Sequence, residues 1–145
     1  MKLLLENWRR FLNEKSDSYP LGEEDDVRAV AKALIFNEDG EILILKRASH
    51  MKWNPDLWDL PGGHLKEDEE IIAALEREVE EETGLTIKNI VEIGEKNNVT
   101  IFKSEVSGKD KKIKLDDENK DHKWVKPEDI PDDFVSFLKS HIRDQ

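Results

Sequence analysis

Apolar residues recur along this chain at different periods, and each period predicts a different element. Leu4, Trp8, Phe11 and Leu12 stand at offsets of four, seven and eight, the spacing of one helix face, and predict a short amphipathic helix in the first twelve residues. Residues 13–26 have almost nothing to bury: Ser16, Ser18, Pro20, Gly22 and four consecutive acids from Glu23 to Asp26 read as a linker. From Val27 the pattern changes to nearly continuous apolar runs. Val27 to Phe36 and Ile42 to Lys46 predict two strands buried on both faces, joined as an antiparallel hairpin through Asn37-Glu38-Asp39-Gly40. A loop rich in Trp, Asn and Pro, Ala48 to Asp59, leads into Leu60-Pro61-Gly62-Gly63. A helix is expected from about Glu69 to Thr83, ended by Gly84. Further strands are expected at Thr86 to Ile93, Val99 to Val106, Lys111 to Leu115 and around Lys123 to Val125. After Pro131 a closing helix is expected from Asp133 to Ile142, with Phe134, Phe137, Leu138 and His141 at helical spacing. The organisation is thus a leader and linker over residues 1–26 and an α/β domain over 27–145, a mixed sheet covered on both faces.

With 145 residues the chain has room for one compact domain with a core that needs no staples. It has no cysteine, so thiol nucleophiles, disulfides and thiolate zinc sites are excluded. No apolar run approaches the roughly 20 residues that cross a bilayer, so no membrane partner is expected. The balance of 23 basic against 34 acidic residues, −11, repels nucleic-acid phosphates. The densest basic stretch, Lys109 to Lys114, is broken by Asp110 and Ile113 and reads as a solvated hairpin tip.

The acids are not spread evenly. Gly63 to Leu85 holds nine of them against Lys66 and Arg77, a net −7. At about 100° per residue, Glu82 and Glu81 fall within about 60° of Glu78, while Glu80 lies on the far side. Ile72, Leu75 and Val79 form an apolar stripe beside this trio and carry it to the edge of the core. Like charges at this spacing destabilise a helix, so a cation should compensate. Two readings follow: a solvated helix face laced with salt bridges, or a site for a hard divalent ion, for which carboxylate oxygens suffice. His50, His64, His122 and His141 have no paired ligand spacing and read as surface or packing residues.

Glycines stand in register with these acids: Gly63-x5-Glu69-x7-Arg77-Glu78-Val79-x-Glu81-Glu82-x-Gly84-Leu85. This resembles the Nudix box at every defining position, and the wider resemblance runs from about Val27 to Ile142. The resemblance implies an α/β/α sandwich with a mixed β-sheet. It implies hydrolysis of a nucleoside diphosphate linked to another group X, a pyrophosphatase reaction that releases a nucleoside monophosphate and phosphorylated X. The implied cofactor is Mg2+ or Mn2+, held by Glu78, Glu81 and Glu82, with the Gly62 backbone carbonyl as a further ligand. Arg77 would hold acids of the box in place, with Glu69 as its partner, and Gly63 would border the substrate. A divalent ion also explains how a chain at −11 approaches an anionic diphosphate. Glu78 is the favoured base, although spacing alone does not separate proton acceptance from metal binding. Many relatives take one more acid from a loop six residues before a Trp, and here Glu118 precedes Trp124 by six, among Asp116, Asp117 and Asp121. Arg47, at a strand end, stands where relatives place a phosphate-contacting Arg; otherwise it is a surface residue with a packed stem. Trp53 and Trp58 flank the same loop, either to stack on a nucleobase or to pack in the core or its rim.

The resemblance narrows the substrate less. The aromatic-proline signature of the NADH-cleaving branch is absent, Thr100 stands where the ADP-ribose branch carries Pro, and Phe102 where dinucleoside polyphosphate enzymes carry Tyr. A nucleoside triphosphate or modified nucleotide is the expectation that remains. The rival is a Nudix fold that binds nucleotide without hydrolysis, against which the intact Arg77 and three Glu argue. The leader resembles phage capsid-targeting peptides cut after Leu-x-Glu, with Leu12-Asn13-Glu14 in that pattern; the other reading is a helix packed on the domain or on the second subunit of a homodimer. No export signal is visible, which gives a cytoplasmic expectation.

Overall fold

A computed structural model describes residues 29–106 and 112–135. The expected leader helix, the linker, the basic tip at Lys109 and the closing segment beyond Val135 lie outside those residues. The chain runs through β1 (Val30–Phe36), β2 (Ile42–Arg47), β3 (Trp58–Asp59), β4 (Gly62–His64), α1 (Ile71–Thr83), β5 (Ile87–Lys96), β6 (Val99–Val106), β7 (Asn119–Val125) and a 3₁₀ turn, Pro127–Asp129.

The sheet is mixed, as expected. β1 runs parallel to β6 along its whole length, and the other paired strands are antiparallel. β1 and β2 meet in register at the hairpin end, Phe36 opposite Ile42, and then part. In the opening β4 pairs with β1, placing Gly62 opposite Lys32, and β3 pairs with β2; on its other edge β2 pairs with β7 from Ile42 to Arg47. The glycines are thereby brought to the middle of the sheet. The β5–β6 hairpin closes on Asn97-Asn98, both at positive φ (52° and 67°), which matches the strand twist in a two-residue loop.

Both faces of β1 and β2 are buried, as their continuous apolar runs require. On one face Leu75 and Val79 of α1 pack on Ala31, Ala33, Ile35, Leu43, Leu45 and Phe102. The other face buries Val30, Leu34, Ile42, Ile44, Trp58 and Leu60 against Ile130, Phe134 and Val135. Among the described residues α1 is the one α-helix, and none is long and apolar enough to cross a membrane.

The differences from expectation have local causes. α1 begins at Ile71 because Glu70 stays extended (φ −74°, ψ 143°) and its carboxylate accepts the Ala73 N–H at 3.0 Å as an N-cap. The end is as expected, with Gly84 left-handed at φ 77° and its N–H returned to the Glu80 carbonyl. The loop after β2 contains two short strands the apolar pattern does not signal, since Trp58–Asp59 and Gly62–His64 lack alternation. Residues 112–115 form no strand, and β7 starts at Asn119, ahead of its apolar end. Phe134 is not in a helix: it bridges Trp58, with the Trp58 N–H on the Asp133 carbonyl and the Val135 N–H on the Trp58 carbonyl.

Candidate active site

Arg77 organises the acidic helix. Its Nε and Nη2 donate to Glu69 Oε2 and Oε1 at 2.8 and 2.9 Å, a bidentate pair, and Nη2 also reaches the His64 carbonyl at 3.1 Å. Its Nη1 donates to Glu78 Oε1 and Glu81 Oε1, both at 2.9 Å. One guanidinium therefore ties the loop before α1, strand β4 and two acids of the helix. The Arg77 hydrogen bonds, with the Lys66 N–H, hold Glu69 down to about 2, and the same contacts raise Arg77.

Glu78 lies against Gly63, so closely that a Cβ there would stand 2.5 Å from Glu78 Oε2. Burial raises the Glu78 carboxyl above its ordinary value; Arg77 opposes this, and Glu81 and Glu118 reinforce it. Glu81 is half exposed, with Arg77 on its Oε1.

Glu82 is the most enclosed acid of α1, 6% exposed. Its Oε1 accepts the Gly62 N–H at 2.7 Å, and its Oε2 lies 3.5 Å from Asn119 Nδ2. Burial pushes its carboxyl up to about 8, against the pull of Lys32 and the Gly62 N–H and with the help of Glu78 and Asp116. Asn119 Nδ2 is shared with Asp116 Oδ1 at 3.1 Å, and Asp116 Oδ1 also accepts the Glu118 N–H. Carboxylate oxygens of Glu82, Asp116 and Glu118 gather within 4.8 Å of one another. This donor set fits a hard divalent ion, which would repay the buried charge of Glu82 that burial otherwise neutralises.

The sequence-derived residues fall into place unequally. Glu82 and Glu118 come together as neighbours of Asp116, which the sequence leaves among the loop acids, while Glu78 and Glu81 are gathered by Arg77. Gly62 contributes its N–H to Glu82. Arg47 sits opposite Asn119 in the β2–β7 register and donates through Nε to the Trp53 carbonyl at 2.8 Å. Trp58 is a core residue: it is 6% exposed, packs on the sheet face opposite α1, and carries Lys46 and Lys123 ammonium groups over its ring at 5.6 and 4.7 Å. Its ring is not open to stack on a nucleobase, which corrects that expectation. Trp53 remains half-buried in the loop, with Lys52 Nζ 4.9 Å from its ring centre.

Three polar residues at the site were not found from the sequence. Lys32 is buried, with Nζ 3.0 Å from Asp59 Oδ2 and 3.2 Å from the Leu60 carbonyl, and Asn119 is buried beside Glu82. A lone Lys inside the apolar run Val30–Phe36 was the available signal, because a charge on a strand buried on both faces needs a partner.

Residues 26–145 match the NUDIX domain family, and the chain belongs to that family. It is 32% identical over 135 residues to the 8-oxo-dGDP phosphatase NUDT18 of Danio rerio, an alignment spanning 86% of this chain and 41% of that protein. It is likewise 32% identical over 120 residues to the nucleoside triphosphatase NudI of Escherichia coli, spanning 71% of this chain and 84% of that one. The solved structure of a MutT protein from Methanosarcina mazei Go1 matches with a TM-score of 0.66 at 29% identity, covering 81% of this chain and 91% of the other. The chain thus spans under half the length of the Danio relative and nearly all of the E. coli one.

Proposed function

We propose that this site hydrolyses the phosphoric anhydride of a nucleoside diphosphate linked to another group, with a nucleoside triphosphate or a modified nucleotide as substrate. The observation that carries this reading is the buried Glu82 carboxylate within 4.8 Å of Asp116 and Glu118, beside Glu78. Like charges so placed and partly enclosed call for a cation, and an anionic diphosphate calls for the same one. The names of the relatives, a nucleoside triphosphatase and an 8-oxo-dGDP phosphatase, support the substrate class.

Glu82, Asp116, Glu118 and Glu78, with the Gly62 carbonyl, would hold magnesium or manganese. Such an ion would polarise the phosphoryl group and acidify the attacking water. The chain's own residues do the rest. Arg77 fixes Glu78 and Glu81 while Glu69 fixes Arg77, so the acids keep their aim when substrate arrives. Glu78, its carboxyl raised by burial, would accept the proton of the attacking water as the phosphorus–oxygen bond of the anhydride breaks. The products are a nucleoside monophosphate and the phosphorylated leaving group, or pyrophosphate from a triphosphate. Arg47 offers donors to the anionic substrate.

The test is a panel of nucleoside triphosphates, oxidised nucleotides and nucleoside diphosphate sugars, with and without magnesium, following nucleoside monophosphate. Magnesium-dependent release from at least one triphosphate is expected. Cleavage of none overturns the hydrolytic reading in favour of a binding module, and unchanged turnover by Glu82→Gln overturns the metal assignment.

A further inference from the structure

The buried ion pair at the parting of β1 and β2 is not absorbed by the acid cluster. Lys32 projects from an otherwise apolar strand to Asp59 on β3, and both are nearly sealed from solvent, at 4% and 2% exposure. Burying two charges costs several kcal/mol of desolvation that their attraction only partly returns, and an apolar pair of equal volume would serve packing as well or better. A pair of this kind is therefore informative for what it holds. Asp59 is fully committed on the protein side: Oδ1 accepts the Leu60 N–H at 2.7 Å and Oδ2 accepts Lys32. The same Oδ2 lies 3.7 Å from Arg47 Nη1, beyond a hydrogen bond but well inside the range of charge attraction.

Arg47 has the opposite character. It is five-sixths enclosed, yet among the described residues it makes one hydrogen bond, from Nε to the Trp53 carbonyl. A guanidinium carries five N–H donors, and one this enclosed rarely leaves most of them unused. Its register partner on β7 is Asn119, which contacts Glu82, so the Arg47 backbone stands one residue across the sheet from a neighbour of the acid cluster.

We infer that Asp59, anchored by Lys32, is a positioning residue that steers the Arg47 guanidinium so that its spare donors meet a substrate phosphate. The Trp53 carbonyl fixes Nε, the Asp59 charge fixes the rotation of the far end, and Lys32 keeps Asp59 from closing on Arg47 as a full salt bridge that would consume those donors. The inference rests on the proposed hydrolysis for its kinetic readout and on phosphate recognition for its binding readout.

The experiment measures kcat and KM for dGTP with magnesium, and in parallel the Kd of inorganic tripolyphosphate with magnesium by calorimetry. Asp59→Asn keeps the acceptor for the Leu60 N–H but removes the charge. It should raise KM and Kd about 5- to 10-fold with kcat within about twofold, the size of a lost coupling between neighbours. Arg47→Met should do the same, and Asp59→Asn added to Arg47→Met should change neither further. If Asp59→Asn does not fold, Lys32→Met with Asp59→Asn, which leaves no orphaned buried charge, carries the same measurement. An unchanged KM and Kd, an effect that persists in full in the Arg47→Met background, or failure of both variants to fold overturns the inference. A wild type that binds tripolyphosphate without cleaving dGTP or any nucleotide refutes hydrolysis and leaves the Kd comparison standing; one that neither cleaves nor binds overturns the role given to Arg47.

Discussion

Glu82 Oε1 accepts the backbone N–H of Gly62 at 2.7 Å, a bond that spans 20 residues of sequence and locks the acidic end of α1 onto the strand that threads the middle of the sheet. The bond explains how a carboxylate is held at 6% exposure among other acids. A bond to a fixed amide keeps one oxygen placed while the other lies 3.5 Å from Asn119 Nδ2.

The first prediction concerns the proton on Glu82. Its carboxyl stands at about 8 in the folded chain against an ordinary 4.5, so the folded state holds the proton more tightly than the unfolded one. Without metal, its contribution to stability is complete below about pH 4.5 and is lost as pH rises toward 8, with a slope of at most about 1.4 kcal/mol per pH unit. Glu82→Gln should flatten that part of the profile in thermal denaturation with chelator present, and an unchanged slope would contradict it. Magnesium acts in the opposite sense, since it binds the ionised form: binding at neutral pH should release a proton, seen as a buffer-dependent heat in calorimetry. Turnover should fall by about 100-fold or more in the same variant.

A second prediction separates Arg77 from the acids it holds. Arg77→Ala leaves Glu82, Asp116 and Glu118 where they are but releases Glu78 and Glu81, so activity should drop about 10- to 100-fold, the usual cost of losing a group that orients ligands. Glu69→Gln should give a milder loss of the same kind. Because Glu69 is held at about 2, its contribution is present above its ordinary 4.5 and is lost as pH falls toward 2. The acid limb of the unfolding curve should therefore become shallower in Glu69→Gln; an unaltered limb counts against the pairing.

The periodic elements were legible in the sequence because their cause is local. α1 announces itself through Leu75 and Val79 on one stripe and Gly84 at its end, and β1 and β2 through nearly continuous apolar runs. The candidate site was legible in part, through the register of Gly63, Arg77, Glu78, Glu81 and Glu82. What stayed hidden depends on contacts between distant segments. Nothing in the dipeptide Trp58-Asp59 says that one side chain enters the core while the next takes up Lys32, 27 residues earlier. Asp116 looks like its acidic neighbours until the fold sets it beside Glu82. Trp58 carries the composition of a stacking residue, and its burial and its bridge to Phe134 reveal a core position.

A third prediction comes from β6. Ser104 is fully buried and its Oγ has no hydrogen-bond partner among the described residues. An unmade hydrogen bond on a desolvated hydroxyl costs about 1–3 kcal/mol, and alanine removes the hydroxyl at the price of little volume. Ser104→Ala should leave stability unchanged or raise it by about 1 kcal/mol in urea denaturation. A loss above about 1 kcal/mol would mean that the hydroxyl is satisfied in solution.

The two adjacent glycines should fail in different ways, which makes them a controlled pair. Gly62 has φ 138°, and a Cβ there would stand 2.0 Å from the Ala31 carbonyl oxygen, so backbone must collide with backbone. Gly62→Ala is expected to cost about 3 kcal/mol or more, because neither the left-handed conformation nor the strand pairing can yield cheaply. At Gly63 the atom in the way is the end of a flexible side chain, Glu78 Oε2, at 2.5 Å. Glu78 can swing aside, so Gly63→Ala should keep most of its stability while losing about tenfold or more in kcat, since the carboxylate no longer rests where Arg77 and the fold place it. Melting temperature and turnover measured on both variants decide the matter. If Gly63→Ala melts as low as Gly62→Ala, or turns over as fast as wild type, then the packing of Glu78 over Gly63 does not set the position of that carboxylate.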